Sequence, residues 1–152
     1  ALVWLLSESV AQRLRESRLR CRTISVGARW ARDLTGYSRQ TTFRVPTCLT
    51  RDIANSAMGL LRANQPFDKD HALRAIHVRV TNLVPMDMPV QCDLFGDAAE
   101  VVRMERLDLS IDALRARFGN TCVKRAVELT DDVMSGLDIK RDNTVHPIGF
   151  LR

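Results

Sequence analysis

The sequence predicts an α+β fold, an antiparallel sheet with two helices on one face, followed by a linker and a helical tail. Three observations predict it. Two segments of the first half repeat apolar residues at helical steps, and three others alternate them at strand spacing. After Leu83 that texture gives way to a proline-punctuated stretch and one long helical period. With 152 residues, 45% of them hydrophobic, the chain is large enough for one packed domain and a tail.

The first helix is expected over residues 3–18. Val3, Leu6, Val10 and Leu14 form its apolar stripe, with Arg13, Arg15 and Arg18 off it. A strand follows over about 22–30, with Ile24, Val26, Ala28 and Trp30 on one face and Thr23, Ser25, Gly27 and Arg29 on the other. Asp33-Leu34-Thr35-Gly36 is turn chemistry. The second strand, about 37–45, sets Thr41, Phe43 and Val45 against Ser38, Gln40, Thr42 and Arg44, and Pro46 should end it. Thr50 is placed to cap a second helix with Asp52 in its first turn; Ile53, Ala57, Leu60 and Leu61 are its buried side, and Asn64 with Pro66 stops it. The third strand, about 73–83, points Ile76, Val78 and Val80 one way and Ala75, His77, Arg79 and Thr81 the other.

With both helices on the apolar face, the other face of the sheet holds small polar residues, arginines and His77, and no carboxylate. Residues 1–83 carry 14 Lys/Arg against six Asp/Glu, while residues 84–152 carry nine against 12. A basic, acid-free face suits a polyanion such as nucleic acid, with Arg, Ser and Thr donating to phosphates. A plain solvated face is the alternative.

Several function classes are disfavoured. The longest apolar run, Ala1 to Leu6, is too short to cross a bilayer, so no membrane role is expected. No export signal is recognisable. Cys21, Cys48, Cys92 and Cys122 form no CxxC pair, and His71, His77 and His146 are scattered, which argues for reduced thiols and against a metal site. The basic half shows no Ser/His/Asp, Cys/His or paired-carboxylate constellation.

The tail reads as Gln91-Cys92-Asp93-Leu94-Phe95, then a helix over about 98–118 in which Met104, Leu107, Ile111, Leu114 and Phe118 step by 3, 4, 3 and 4, stopped by Gly119. A shorter helix is expected over about 121–129. The long helix either forms a hairpin with Val123 and Val127, docks on the domain, or binds a partner. Asp131-Asp132, the adjacent acidic pair of the tail, reads as a solvated helix end.

Leu6 to Arg15 with Arg22 to Val26, Asp33 to Phe43, and Arg74 to Leu83 resemble successive pieces of the little finger domain of Y-family translesion DNA polymerases of the polymerase IV or UmuC-like type. Gln91 to Phe95 resembles the bacterial sliding-clamp peptide that follows that domain. Ile111 to Gly119 and Val123 to Ala126 are similar to the C-terminal extension of many bacterial members. The resemblance spans about residues 3–129 and implies three parts: a DNA-binding little finger over 1–83, a linker with the clamp-binding peptide over 84–96, and a helical tail over 97–152.

It further implies contact with template–primer DNA in damage repair and bypass, as part of the SOS response, by a cytoplasmic, nucleoid-associated protein. The positions matching the family's DNA-contacting strands are Thr23, Ser25 and Arg29; Ser38, Arg39 and Thr42; and Arg74, His77 and Arg79. Alternation points Arg39 and Arg74 toward the helices, so a bulge near Tyr37 and a loosened strand end are expected to re-aim them. His77 is open to a second reading as an exposed strand residue. Gln91, Leu94 and Phe95 are the expected clamp contacts, two apolar anchors and an amide. The family's palm carboxylates, which hold magnesium in the parent polymerase, do not match this chain. The chain alone should therefore be inert and hold no cofactor, and the resemblance leaves open whether it belongs to an enzyme. The family's first strand has no match either, so one sheet edge should be bare and favour self-association. The alternative function is a free-standing nucleic-acid-binding adaptor.

Overall fold

A computed structural model describes residues 1–64, 72–89, 98–130 and 136–138. In chain order it contains α1 (Leu2–Glu16), β1 (Leu19–Trp30), β2 (Gly36–Thr47), α2 (Thr50–Asn64), β3 (Leu73–Pro85) and α3 (Ala98–Phe118). The strands form an antiparallel sheet in the order β2-β1-β3, and the central strand β1 is the most buried of the three. The expected α+β class and element order are those observed.

Ile24 and Ala28 of β1 meet Val3, Ala11 and Leu14 of α1 and Ile53, Ala57 and Leu61 of α2 in one buried cluster. The buried side of α1 is rotated from the expected stripe: Leu6 and Val10 are half-buried, while Ser7 and Ala11 are fully enclosed. Ser7 tolerates burial because its hydroxyl donates to the Val3 carbonyl at 2.7 Å. Cys21 and Cys48 are also buried, and burial is the main reason their thiols are pushed up to about 12 and about 11.

Pro46 does not end β2. The strand lies at the sheet edge, where a missing N–H is tolerated, and pairing resumes at Thr47. Thr42 faces Thr23 and Thr47 faces Cys21, so the intervening stretch of β2 bulges out of the ladder. The bulge delivers Thr47 to the start of α2. There its hydroxyl accepts from Leu49 N at 3.1 Å and donates to Asp52 at 2.9 Å, in place of the Thr50 cap expected.

The long tail helix has the expected length, but its partner is the domain rather than a hairpin. The segment expected as a helix over 121–129 contains a single 3-10 turn, Ala126–Glu128. α3 docks through charge. Arg15 of α1 binds Asp112 through Nε at 2.6 Å and Nη2 at 3.0 Å, and its Nη1 reaches Asp108 at 3.1 Å and the Cys48 carbonyl at 2.8 Å. Asp108 also accepts from Thr50 N at 2.9 Å, so α3 caps α2 from outside. Arg115 binds Glu8 at 2.9 Å and the Val123 carbonyl at 2.8 Å, and Arg125 closes on the other oxygen of Glu8. Burial lowers the Arg15 pKa, but the hydrogen bond and charge of Asp112, with the charge of Asp108, outweigh it and leave the pKa raised. Among the described residues no helix is long and apolar enough to cross a membrane.

Candidate nucleic-acid interface

Residues paired across antiparallel strands share a face, so the ladder defines the open side of the sheet. Its rows run from β2 through β1 to β3: Thr42–Thr23–Thr81, Gln40–Ser25–Arg79, Ser38–Gly27–His77 and Gly36–Arg29–Ala75. Apart from Gly36, expected in the turn, these are residues alternation assigned to the face away from the helices; Arg44, also assigned there, falls in the bulge between Thr42 and Thr47, outside the ladder. Among them stand no carboxylates. Arg29, His77 and Arg79 are exposed, as are Ser38, Gln40 and Thr42 beside them.

The centre of the face is closed by a single contact. A Cβ on Gly27 would stand 2.1 Å from Cε1 and 2.4 Å from Nε2 of His77. The imidazole therefore sits over the bare backbone of β1, and Gly27 is buried although it lies on the open side. Glycine is required here for close approach of a ring rather than to bare its amide.

Three expected site residues sit differently from the rest. Thr23 is 3% exposed. Asn82 donates to its hydroxyl at 2.9 Å, and the Thr42 hydroxyl lies 3.4 Å away. Asn82 reaches back because its φ of 53° is left-handed, a conformation asparagine tolerates better than most residues. Sequence reasoning passed over this exposed asparagine; the signal was an Asn inside a strand, where that residue is depleted.

Arg39 corrects an expectation. The register is unbroken from Thr23/Thr42 to Arg29/Gly36, so no bulge occurs at Tyr37 and Arg39 pairs beside Val26 on the helix side. It donates to Asn64 at the end of α2 at 3.2 Å and lies 5.8 Å from the Tyr37 ring centroid. Arg74 is displaced as expected: Leu73 faces Trp30 and Ala75 faces Arg29, leaving Arg74 as the extra, exposed residue of a bulge. Gln91, Leu94 and Phe95 lie outside the described residues.

No group of three His, Cys, Asp or Glu side chains among the described residues is placed to hold a metal ion. The carboxylates Glu8 and Asp108, both buried, and the half-buried Asp112 are each held by arginine, a donor set that does not fit the magnesium of a polymerase.

Fold and face together define a two-layer α+β domain with a sheet suited to a polyanion. Residues 1–94 match the impB/mucB/samB family C-terminal domain, and the chain belongs to that family, the C-terminal domain of Y-family polymerases. It is 35% identical over 130 residues to DNA polymerase IV of Acetivibrio thermocellus, covering 86% of this chain and 32% of that protein. It is 30% identical over 124 residues to DNA polymerase IV 2 of Halalkalibacterium halodurans, with 80% and 29% covered. It is 29% identical over 132 residues to the putative UV-damage repair protein UvrX of Bacillus subtilis, with 86% and 30% covered. The chain thus spans about a third of the length of the curated relatives it matches. α3 lies beyond the family match.

Proposed function

We propose that this chain grips template–primer DNA and binds a sliding clamp as part of a bacterial translesion DNA polymerase. The observation that carries the DNA reading is the open sheet face, where Arg29, His77 and Arg79 project among hydroxyls with no carboxylate. On this reading phosphates are the contacts: Arg29, Arg74 and Arg79 supply charge, Ser25, Ser38 and Thr42 supply hydroxyl donors, and His77 supplies the centre. Thr23 acts by orienting Asn82, and Arg39 acts through its field at the rim. Nucleotidyl transfer with magnesium belongs, on the same reading, to the longer protein that the relatives exemplify, acting in the cytoplasm on the nucleoid.

The test is binding of the chain to labelled primer–template DNA across a salt series. Affinity should fall steeply with salt, because each neutralised phosphate releases counterions. Replacing Arg29 and Arg79 with Ala should weaken binding on every sequence and flatten the salt slope. Salt-insensitive binding, or strong preference for one duplex sequence, would overturn the proposal.

For the clamp, a peptide of residues 90–96 should bind a bacterial sliding clamp with micromolar-class affinity, about −8 kcal/mol. Replacing Leu94 and Phe95 with Ala should remove most of it and leave DNA binding intact. Self-association is proposed through the outer edge of β3, beside a cleft lined by Val10, Leu14, Leu19, Val78, Val80 and Leu83. Sedimentation that stays monomeric at every concentration counts against it.

A further inference from the structure

The charged docking of α3 leaves its apolar stripe turned outward. Asp108, Asp112 and Arg115 face the domain, whereas Leu107, Leu114 and Phe118 are 48%, 43% and 60% exposed, with Met104 ahead of them and Ile111 between them half-buried. The 3-4-3-4 spacing of these five residues is that of a coiled-coil seam over two heptads. Along its free side the seam is bordered by Arg103, Arg106, Ser110 and Arg117, all exposed and none acidic. The acids of the same helix are engaged elsewhere: Glu105 by Arg20 at 2.9 Å, Asp108 and Asp112 by Arg15, and Glu100 by Arg51 at 2.7 Å.

We propose that this seam is a docking surface for an amphipathic helix of another protein whose apolar face is bordered by Asp and Glu. Charge complementarity selects that partner. A second copy fits poorly. Antiparallel pairing would set Arg103 against Arg117 of the other copy, and parallel pairing would need Asp108 and Arg115, both consumed within the chain. An anionic membrane fits less well too, because the exposed seam is a narrow stripe beside a docked face, whereas an interfacial helix buries a broad one. The proposal is independent of the DNA reading.

The test uses the full 152-residue chain and two labelled synthetic helical peptides, both with Leu at a and d. One carries Glu at e and g, the other Lys. The Glu peptide should bind and the Lys peptide should not. Leu107→Asp with Leu114→Asp should weaken the Glu peptide by roughly tenfold or more, since apolar anchors dominate small interfaces. Because both leucines are exposed, the thermal midpoint should stay near that of the parent chain. Arg103→Glu, Arg106→Glu and Arg117→Glu together should transfer the preference to the Lys peptide, a reversal that mere stickiness does not produce. Equal binding of both peptides, no binding, or binding indifferent to the leucine changes overturns the proposal. So does leucine-dependent binding to phosphatidylglycerol vesicles, or leucine-dependent dimerisation by sedimentation, in place of peptide binding.

Discussion

Arg15 and Asp112 are 97 positions apart in sequence and meet in a bidentate pair, Nε to Oδ2 at 2.6 Å and Nη2 to Oδ1 at 3.0 Å. Removing the guanidinium also takes from Asp108, whose side chain is 4% exposed, its nearer cation, leaving Thr50 N and Arg125 at 3.5 Å. Arg15→Ala should therefore destabilise the chain by about 3–5 kcal/mol, the range for breaking a buried pair. Asp112→Asn keeps an acceptor on a side chain that is 14% exposed and should cost about 1 kcal/mol. Urea midpoints decide it, and an unshifted midpoint for Arg15→Ala removes the ionic docking from the account of stability.

Gly27 and His77 should behave as a coupled pair. Gly27→Ala drives a methyl into the imidazole and brings it to 2.8 Å from the Tyr37 carbonyl, so a loss of about 1–3 kcal/mol is expected. In a His77→Ala background the ring is gone and the same change should cost less. A double-mutant cycle with no coupling between the two positions would show that the backbone contact alone demands glycine.

The tail carries a pH-dependent element. Glu128 is 2% exposed, and its Oε1 has no hydrogen-bond partner among the described residues. Burial, then the charge and hydrogen bond of Glu8, raise its pKa, and Arg115 offsets part of the rise. The folded carboxyl thus holds its proton longer than the unfolded one. Its contribution to stability is complete below the ordinary glutamate pKa and is lost as pH rises through the raised folded value. Glu128→Gln should be more stable than the parent at pH 7, with the difference shrinking toward pH 4. A difference independent of pH would contradict this.

Leu34 in the β1–β2 turn has φ 61° and is 55% exposed. A left-handed conformation costs a residue with a Cβ about 1–2 kcal/mol, more than the extra entropy glycine brings to the unfolded chain. Asp33 holds the turn independently, accepting from Thr35 N at 3.1 Å and Thr35 Oγ1 at 2.8 Å. Leu34→Gly should therefore raise stability by roughly 0.5 kcal/mol, visible as a higher thermal midpoint. A lower midpoint would mean that the leucine side chain packs.

The strand faces were legible because a period of two leaves little freedom: once Ile24, Val26 and Ala28 turn inward, Ser25, Gly27 and Arg29 must turn outward. Arg39 shows the strength of that rule, since alternation pointed it toward the helices and only the family resemblance suggested otherwise. Thr23 shows its limit. Alternation assigns a face but does not show that Asn82, through a left-handed backbone, covers the hydroxyl. The docking of α3 was illegible to hydropathy because its contacts are charged. Spacing held the signal, with Glu8, Gln12 and Arg15 on one helix and Asp108, Asp112 and Arg115 on the other, each set within two turns of one face.

The ion pairs beneath α3 have a consequence for rotation. Apolar helix faces are nearly interchangeable, and a helix held by grease alone could roll about its axis until its most oily stripe was hidden. Arg15 meets Asp112 and Asp108 together at a single azimuth, and Arg115 meets Glu8 only at that same setting. The charges therefore index the helix like a key in a slot, a role in specifying register that buried polar groups fill even when their net stabilisation is small. Replacing Arg15, Asp108 and Asp112, together with Glu8 and Arg115, by apolar residues of similar size would release that index, and α3 would be free to turn Leu107 and Leu114 inward.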